Sequence, residues 1–191
     1  FDSARKTFRN DIYSEYKANR GEPPEDLIPQ FQIIKDSVKA FGIPSIELPG
    51  FEADDIIATY AKQAADKKWK VSIVSSDKDM KTIPCKLYRP MQDELLDITT
   101  QQADAFFLHQ CLMGDQTDGY GGCKGVGEKT AAKILGSRPT WELVEQAYLK
   151  AGMTKEDALV QARLARILRW EDWDATKKEI KLWKPPVLVC P

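Results

Sequence analysis

The sequence has 191 residues, of which 42% are hydrophobic and 30% charged, enough for one ordinary core with a smaller appended unit and too apolar for wholesale disorder. No run approaches about 18 apolar residues and no charged-then-apolar leader opens the sequence, so we predict neither a spanning helix nor a signal peptide and expect a cytoplasmic location. Four cysteines and a single histidine fit neither a zinc site nor a disulfide scaffold.

The net charge of −1 conceals an uneven distribution along the sequence. Residues 52–120 carry a net charge of −4, whereas residues 121–191 carry +4. An acidic middle followed by a basic end indicates a site that concentrates cations beside a surface that binds a polyanion. Solvated faces produce the same imbalance in many proteins, so this feature needs support from specific residues.

Strands and helices alternate through the first part of the chain. Helices are predicted over residues 5–20, 26–42, 52–67 and 100–113, and strands over residues 43–48, 70–74, 86–91 and 95–98. This alternation favours an α/β core with a mainly parallel sheet. From about residue 127 the pattern is helical. We therefore predict an α/β core over 1–113, a helical region over 114–184 and a tail over 185–191.

Acidic residues form four clusters near the predicted strand ends. They are Asp2, then Glu52 with Asp54 and Asp55, then Asp77 with Asp79, and finally Asp115 with Asp118. Ligand sites in parallel sheets form beyond the carboxyl ends of the strands, where these side chains would repel one another unless cations neutralised them. Oxygen ligands without His or Cys favour Mg²⁺ or Mn²⁺, and carboxylates spread over four segments suit two ions that promote phosphodiester hydrolysis. Each cluster alone could be a helix cap or a turn, but the four together favour the site.

A glycine-rich loop precedes the first helix of the basic region. The candidate phosphate-binding residues are Lys124, Gly125, Gly127, Lys129 and Thr130. Gly-x-Gly ahead of a helix lets backbone N–H groups approach a phosphate. The loop is not a Walker motif, because Glu128 stands where that motif requires lysine. A helix-hairpin-helix that grips a duplex backbone fits better, with a plain turn between helices as the alternative.

Lys17 and Arg20 form a small basic motif in the stretch Glu15-Tyr16-Lys17-Ala18-Asn19-Arg20. A spacing of three places both cations on one face of a helix, where they could contact a scissile phosphate. Spacing alone favours the alternative of a solvated basic face.

These motifs, in this order, resemble the 5′-nuclease superfamily, which includes flap endonucleases and the 5′-nuclease domain of DNA polymerase I. The resemblance rests on Phe1-Asp2, Tyr16 to Arg20, Glu52 to Asp55, Ser76 to Asp79, Gly114 to Gly119 and Gly125-x-Gly127. The segments 151–154, 165–169 and 182–185 are more similar to the 5′→3′ exonucleases of T-odd podoviruses. The resemblance implies a PIN-like, resolvase-like core followed by a helix-hairpin-helix DNA-binding region.

The resemblance also implies roles for individual residues. Roles in binding metal ions or their waters fall to Asp2, Glu52, Asp54, Asp55, Asp77, Asp79, Asp115 and Asp118. Lys17 and Arg20 would stabilise the phosphate at the base of a helical gateway, and the glycine-rich loop would hold duplex DNA with a monovalent cation such as K⁺. Family members begin with a strand that ends in a further metal-binding aspartate. This sequence lacks that strand, so we expect a fragment of a longer chain or an upstream segment that completes the fold.

We therefore expect a divalent-metal-dependent 5′→3′ exonuclease or flap endonuclease that hydrolyses duplex or 5′-branched DNA with two Mg²⁺ or Mn²⁺ ions. Its setting would be phage DNA replication or recombination in the host cytoplasm. Two other classes stay open: a module that binds structured DNA without cutting it, and a metal-dependent ribonuclease. Metal-stimulated binding without product would indicate the first, and a preference for single-stranded RNA would indicate the second.

Overall fold

A computed structural model describes residues 1–2 and 6–186 of the chain. The described helices are α1 (Phe8–Ile12), α2 (Ile28–Ala40), α3 (Ala53–Asp66), α4 (Thr100–Met113), α5 (Glu128–Leu135), α6 (Trp141–Lys150) and α7 (Lys155–Ala165). The strands are β1 (Ser72–Val74), β2 (Lys86–Arg89), β3 (Glu94–Asp97), β4 (Trp173–Asp174) and β5 (Glu179–Ile180), with 3₁₀ helices at Lys78–Thr82 and Trp170–Asp172. Residues 187–191 of the predicted tail, with Cys190, lie outside the described residues. None of the described helices is both long and apolar enough to cross a bilayer.

The core sheet is mixed rather than mainly parallel. Its strand order is β1-β2-β3, with β1 parallel to β2 and β2 antiparallel to β3. A short turn over residues 90–93 connects β2 to β3, and such a turn can only join antiparallel strands, whereas a parallel pairing needs a longer crossover. Within the described part of the chain, the second edge of β1 has no strand partner.

Two apolar clusters hold the fold together. One lies between α3 and the sheet and includes Ala58, Ile73 and Leu87, with Ile167 reaching in from beyond α7. The other lies among α4, α5, α6 and α7, where the Tyr148 hydroxyl donates to the backbone oxygen of Cys111 at 2.7 Å. Because Ile167 packs in the first cluster, the end of the helical region is part of the α/β core. The division into two regions at residue 113 stays a prediction.

Three predicted elements differ from the structure, while α3 and α4 lie where they were expected. The predicted helix over 5–20 is limited to α1 and then becomes a series of turns, with Lys17 in the left-handed region at φ +57°. The predicted strand over 43–48 has no strand pairing, and the all-helical ending closes with the β4–β5 hairpin. In the first case a tertiary contact overrides the local pattern, because the Lys17 amide donates to the backbone oxygen of Asp118 at 2.8 Å.

Helix α2 lies apart from both apolar clusters. None of its residues is buried, and Ile33 is 63% exposed, with Phe41 just after the helix at 82%. Such a row of apolar side chains in water is unusual for an amphipathic helix of a folded domain, which normally covers its apolar face.

Candidate functional site

The N-terminus of α3 gathers the first acidic residues. Glu52 immediately precedes the helix, and Asp54 lies in its first turn, where the helix dipole favours negative charge. An Asp2 side-chain oxygen accepts a hydrogen bond from the Ala53 amide at 2.7 Å, so residue 2 lies at the same helix end.

The end of β1 supplies the second pair. Asp77 caps the 3₁₀ helix that follows the strand, since its Oδ1 accepts from the Asp79 amide at 2.9 Å. The Asp79 carboxylate is held from within the protein by the Gln110 carboxamide of α4, whose Nε2 donates to Asp79 Oδ1 at 2.6 Å. The strand end and α4 together thus fix both carboxylates of this pair.

The loop after α4 presents Asp115 and Asp118. Gly114 ends the helix at φ +70°, and a Cβ there would lie 2.4 Å from the Gly122 nitrogen, so the backbones meet too closely for any other residue. The loop is closed by reciprocal backbone bonds between Asp115 and Tyr120. A close glycine contact therefore sets where these two carboxylates point.

The segment around Lys17 packs directly onto that loop. Lys17 Nζ lies 2.8 Å from Glu52 Oε2 and 3.9 Å from Asp118 Oδ2. The Tyr16 hydroxyl lies within hydrogen-bond distance of the same two oxygens, and Arg20 pairs with the other oxygen of Asp118. Tertiary contact, rather than a shared helical face, therefore brings both predicted phosphate-binding cations to the carboxylates.

Two carboxylates of this site, Asp54 and Asp79, have raised pKa values. Burial, followed by the charges of Asp77 and Glu52, raises the pKa of Asp54 to about 7. Burial and the charge of Asp77 likewise raise the pKa of Asp79 to about 6. The cluster therefore holds more negative charge than its neighbouring cations neutralise, which is the electrostatic condition for binding another cation.

Lys78 and Gln110 contact the site but were not singled out from the sequence. Lys78 Nζ lies 2.7 Å from Asp115 Oδ2; although burial opposes ionisation of that carboxyl, the lysine contact leaves its pKa below the usual value. The position of Lys78 between two aspartates was an available signal. Gln110 gave a weaker signal, as an amide close to the apolar residues Leu108, Cys111 and Leu112 of α4.

Asp55 is predicted as a metal ligand, but in the structure its carboxylate is buried and pairs with Arg9. Its side chain is only 1% exposed, and its two oxygens accept from the Arg9 guanidinium at 2.9 and 2.8 Å. The Leu168 amide donates to the same carboxylate at 2.9 Å. With its oxygens directed to these partners, Asp55 holds the N-terminus of α3 in place.

The remaining residues fit a divalent cation by chemistry and charge. The donors are all carboxylate oxygens, the ligand type that Mg²⁺ and Mn²⁺ prefer. Across residues 1–2 and 6–186, no three His, Cys, Asp or Glu side chains are already arranged around one ion position. The ammonium groups of Lys17 and Lys78 and the guanidinium of Arg20 instead lie against these carboxylates. Six carboxylates thus remain as candidate ligands, with Asp2 beside them: Glu52, Asp54, Asp77, Asp79, Asp115 and Asp118.

The glycine-rich loop forms a second surface. Lys124, Gly125, Gly127, Lys129 and Thr130 are all exposed. Gly125 adopts φ +76°, and Gly127 is the N-cap of α5, so the first amides of that helix face outward. The buried Cys123 anchors the loop through its amide, which donates to the backbone oxygen of Leu112 at 2.8 Å. No hydrogen bond or ion pair among the described residues joins these five residues to the carboxylates of the site.

Comparisons with known proteins agree with this architecture. The profile of a family described as "5′-3′ exonuclease, N-terminal resolvase-like domain" matches residues 1–104. DNA polymerase I of Rhizobium leguminosarum is 42% identical over 182 residues, covering 88% of this chain and 18% of the polymerase. The 5′-3′ exonuclease of Aquifex aeolicus is 33% identical over 204 residues, covering 97% of this chain and 69% of that protein. The chain thus spans about a fifth of the polymerase's length.

Solved structures show the same fold at lower sequence similarity. The phage T5 5′-exonuclease with bound zinc has a TM-score of 0.64 at 20% identity, over 86% of this chain and 71% of that one. A complex of the T5 flap endonuclease with DNA and metal ions has a TM-score of 0.63 at 19% identity, over the same shares. Since the profile covers more than half of the chain and the Aquifex relative nearly all of it, the chain belongs to the 5′-3′ exonuclease family of nucleases and carries its α/β resolvase-like fold.

Proposed function

We propose that this chain is a divalent-metal-dependent 5′→3′ nuclease that hydrolyses phosphodiester bonds of DNA at a 5′ end or a 5′ flap. One observation supports it above the others: carboxylates from three separate segments meet with an excess of negative charge, and the cations that lie directly against them include two that could bind a phosphate. The charges of Asp77 and Glu52 add to burial in raising the pKa of Asp54, and Lys17 and Arg20 supply the cations.

Two Mg²⁺ or Mn²⁺ ions held by Glu52, Asp54, Asp77, Asp79, Asp115 and Asp118, with Asp2 beside them, would supply an activated water and stabilise the leaving oxygen. The protein's contribution is to place these carboxylates on a rigid frame. Asp55 supports the frame through Arg9, and the Tyr16 hydroxyl links Glu52 to Asp118.

Lys17 and Arg20 bind the phosphate in this proposal. Both already lie at the carboxylates, so each needs only a local side-chain movement to meet a phosphate oxygen. Arg20 is half exposed, whereas Lys17 is largely covered, so the guanidinium reaches substrate first and the ammonium lies deeper. There the two cations offset the negative charge that grows on the phosphate in the transition state.

The glycine-rich loop and the helices after it form the duplex-binding region of the proposal, with the α/β core over 1–113 as the cutting region. Exposed amides at the start of α5 and the flanking Lys124 and Lys129 suit the phosphate backbone rather than the bases. In a helix-hairpin-helix arrangement, the loop would also hold K⁺. The net charge of +4 over residues 121–191 adds attraction that does not depend on base sequence.

An upstream segment completes the core in this proposal. The unpaired edge of β1 and the exposed apolar side chains of α2 and Phe41 are surfaces that a further strand and its connection would cover. A role in phage replication or recombination in the host cytoplasm rests on the resemblance of the C-terminal segments and stays a prediction.

The proposal is tested by incubating the chain with 5′-labelled duplex and 5′-flap DNA, with and without Mg²⁺. We expect Mg²⁺-dependent release of product from the 5′ end, lost in Asp79→Ala while DNA binding in Ca²⁺ is retained. The matched control is Asp66→Ala, which removes an exposed carboxylate at the far end of α3. This variant should cut DNA as the wild type does.

Three results would contradict the proposal. Equal loss of binding and cleavage in Asp79→Ala would remove its metal-ligand role. Metal-stimulated binding without product, both alone and with the upstream segment added, would indicate a module that binds DNA without cutting it. Faster cleavage of single-stranded RNA than of duplex DNA would indicate a ribonuclease.

A further inference from the structure

Gln110 is a buried polar side chain beside the carboxylate cluster. It lies on α4, is 1% exposed, and donates from Nε2 to Asp79 Oδ1 at 2.6 Å. Its other polar atom, Oε1, is buried with no hydrogen-bond partner among residues 1–2 and 6–186. A buried carboxamide normally has both ends satisfied, so a half-satisfied one calls for an explanation.

Among the described residues, the Gln110 carboxamide makes one hydrogen bond, to the Asp79 carboxylate. A methionine or leucine here would occupy similar space and would avoid the free-energy cost of the unpaired oxygen, a cost that offsets part of what the hydrogen bond to Asp79 contributes. What an apolar side chain could not supply is the hydrogen bond to Asp79.

Helix α4 is a firmer support for that bond than the segment carrying Asp79. The carboxylate lies on a five-residue 3₁₀ helix, whereas α4 has 14 residues and begins at the Thr99 cap, whose Oγ1 accepts from the Gln102 amide at 3.2 Å. A short 3₁₀ helix holds a side chain less firmly than a long capped helix packed in a core.

We propose that Gln110 is a positioning residue for cation binding: its carboxamide fixes the Asp79 side chain by bonding to Oδ1 and leaves the rest of that carboxylate free for a divalent cation. This inference rests on the nuclease proposed above and names a residue on which its metal affinity depends. Gln110 itself has no contact with the cation or the substrate in this assignment.

The test compares wild type, Gln110→Met and Gln110→Leu by electron paramagnetic resonance titration with Mn²⁺, urea unfolding in EDTA, and cleavage across a Mg²⁺ series. We expect the apolar variants to bind Mn²⁺ about tenfold or more weakly and to need correspondingly more Mg²⁺ for half-maximal cleavage. Their urea midpoint in EDTA should change little, because the loss of the hydrogen bond to Asp79 and the loss of the unpaired oxygen act in opposite directions. Gln101→Met makes the same substitution at an exposed position of α4 and should match wild type in all three measurements.

The combination of weaker metal binding with undiminished stability separates positioning from a structural role. Wild-type Mn²⁺ affinity in folded Gln110→Met and Gln110→Leu would overturn the inference and leave the proposed nuclease standing. A lowered urea midpoint in both variants would also overturn it, because Gln110 would then serve the fold. Absence of Mn²⁺ binding in wild type would instead overturn the proposed function and the inference with it.

Discussion

Asp54 and Asp55 are neighbours in the sequence and belong to opposite electrostatic environments. Asp55 is enclosed with Arg9, which also donates to the backbone oxygens of Leu164 at 3.1 Å and Arg166 at 2.6 Å. Asp54 faces other carboxylates, and its pKa is raised to about 7 by burial and their charge. A charge balanced by the protein's own partners stabilises the fold, whereas a charge left unbalanced is available to a cation from outside.

The buried pair of Arg9 and Asp55 also connects parts of the chain that lie far apart in the sequence. Arg9 lies in α1, Asp55 lies in α3, and the two carbonyl oxygens come from the end of α7 and just beyond it. One guanidinium thus joins three distant parts of the chain. Of the candidate cation-binding carboxylates, Glu52 also lies near this guanidinium, with Arg9 Nη1 3.6 Å from Glu52 Oε2.

The largest effect is expected from removing the buried Arg9 guanidinium that pairs with Asp55. Arg9→Met leaves the Asp55 carboxylate buried without its partner, which should lower the free energy of unfolding by about 3–5 kcal/mol. Urea unfolding measures this, with Arg138→Met as the control at an exposed arginine. Adding Asp55→Leu to Arg9→Met should recover much of the loss, because no unpaired charge then remains. A loss below about 1 kcal/mol in Arg9→Met would show that the pair is not what holds these segments together.

The uncompensated charge around Asp54 and Asp79 should make the free energy of unfolding depend on pH. Asp54 and Asp79 have pKa values raised to about 7 and about 6, above those of the unfolded chain, so the folded state binds more protons between pH 4 and 7. Stability in EDTA should therefore fall as pH rises from 5.5 to 8, by about 1–3 kcal/mol in total. Urea midpoints across this range measure the fall.

Two changes should flatten that pH dependence. Mg²⁺ should do so by neutralising the carboxylates, and Asp54→Asn by removing one of the charges that repel. Asp66→Asn, at the exposed end of α3, should leave the slope as in wild type. Stability that rises over the same pH range in EDTA would contradict the view that this group carries uncompensated charge.

The smallest effect is expected where Lys17 is held against the loop. Gly119 adopts φ +77°, and a Cβ there would lie 3.0 Å from the backbone oxygen of Glu15. Gly119→Ala should therefore cost about 1–2 kcal/mol and reduce cleavage by displacing Lys17. Gly21→Ala, at a position with open space around it, should change stability by less than about 0.5 kcal/mol. Equal behaviour of the two variants in unfolding and cleavage would show that this close contact has no role in placing Lys17.

Much of the fold could be predicted from local patterns. Helices α3 and α4 and strands β1, β2 and β3 lie within a few residues of their predicted bounds, because their periodicity and caps are encoded within each segment. The mixed sheet was not predicted, since the direction of β3 depends on the turn before it. The turn at Lys17 was not predicted either, because its backbone is held by residue 118.

Local patterns in the sequence place carboxylates after the strands and before α3, and thereby indicate which residues could form a cation site. Which of these carboxylates pair with a partner within the protein depends on tertiary contacts. Arg9 lies 46 residues from Asp55 and 155 from Leu164, and Gln110 lies 31 from Asp79. Charge compensation depends on distance in space. No local pattern in the sequence therefore distinguishes Asp55, which pairs with Arg9, from Asp54, which faces other carboxylates.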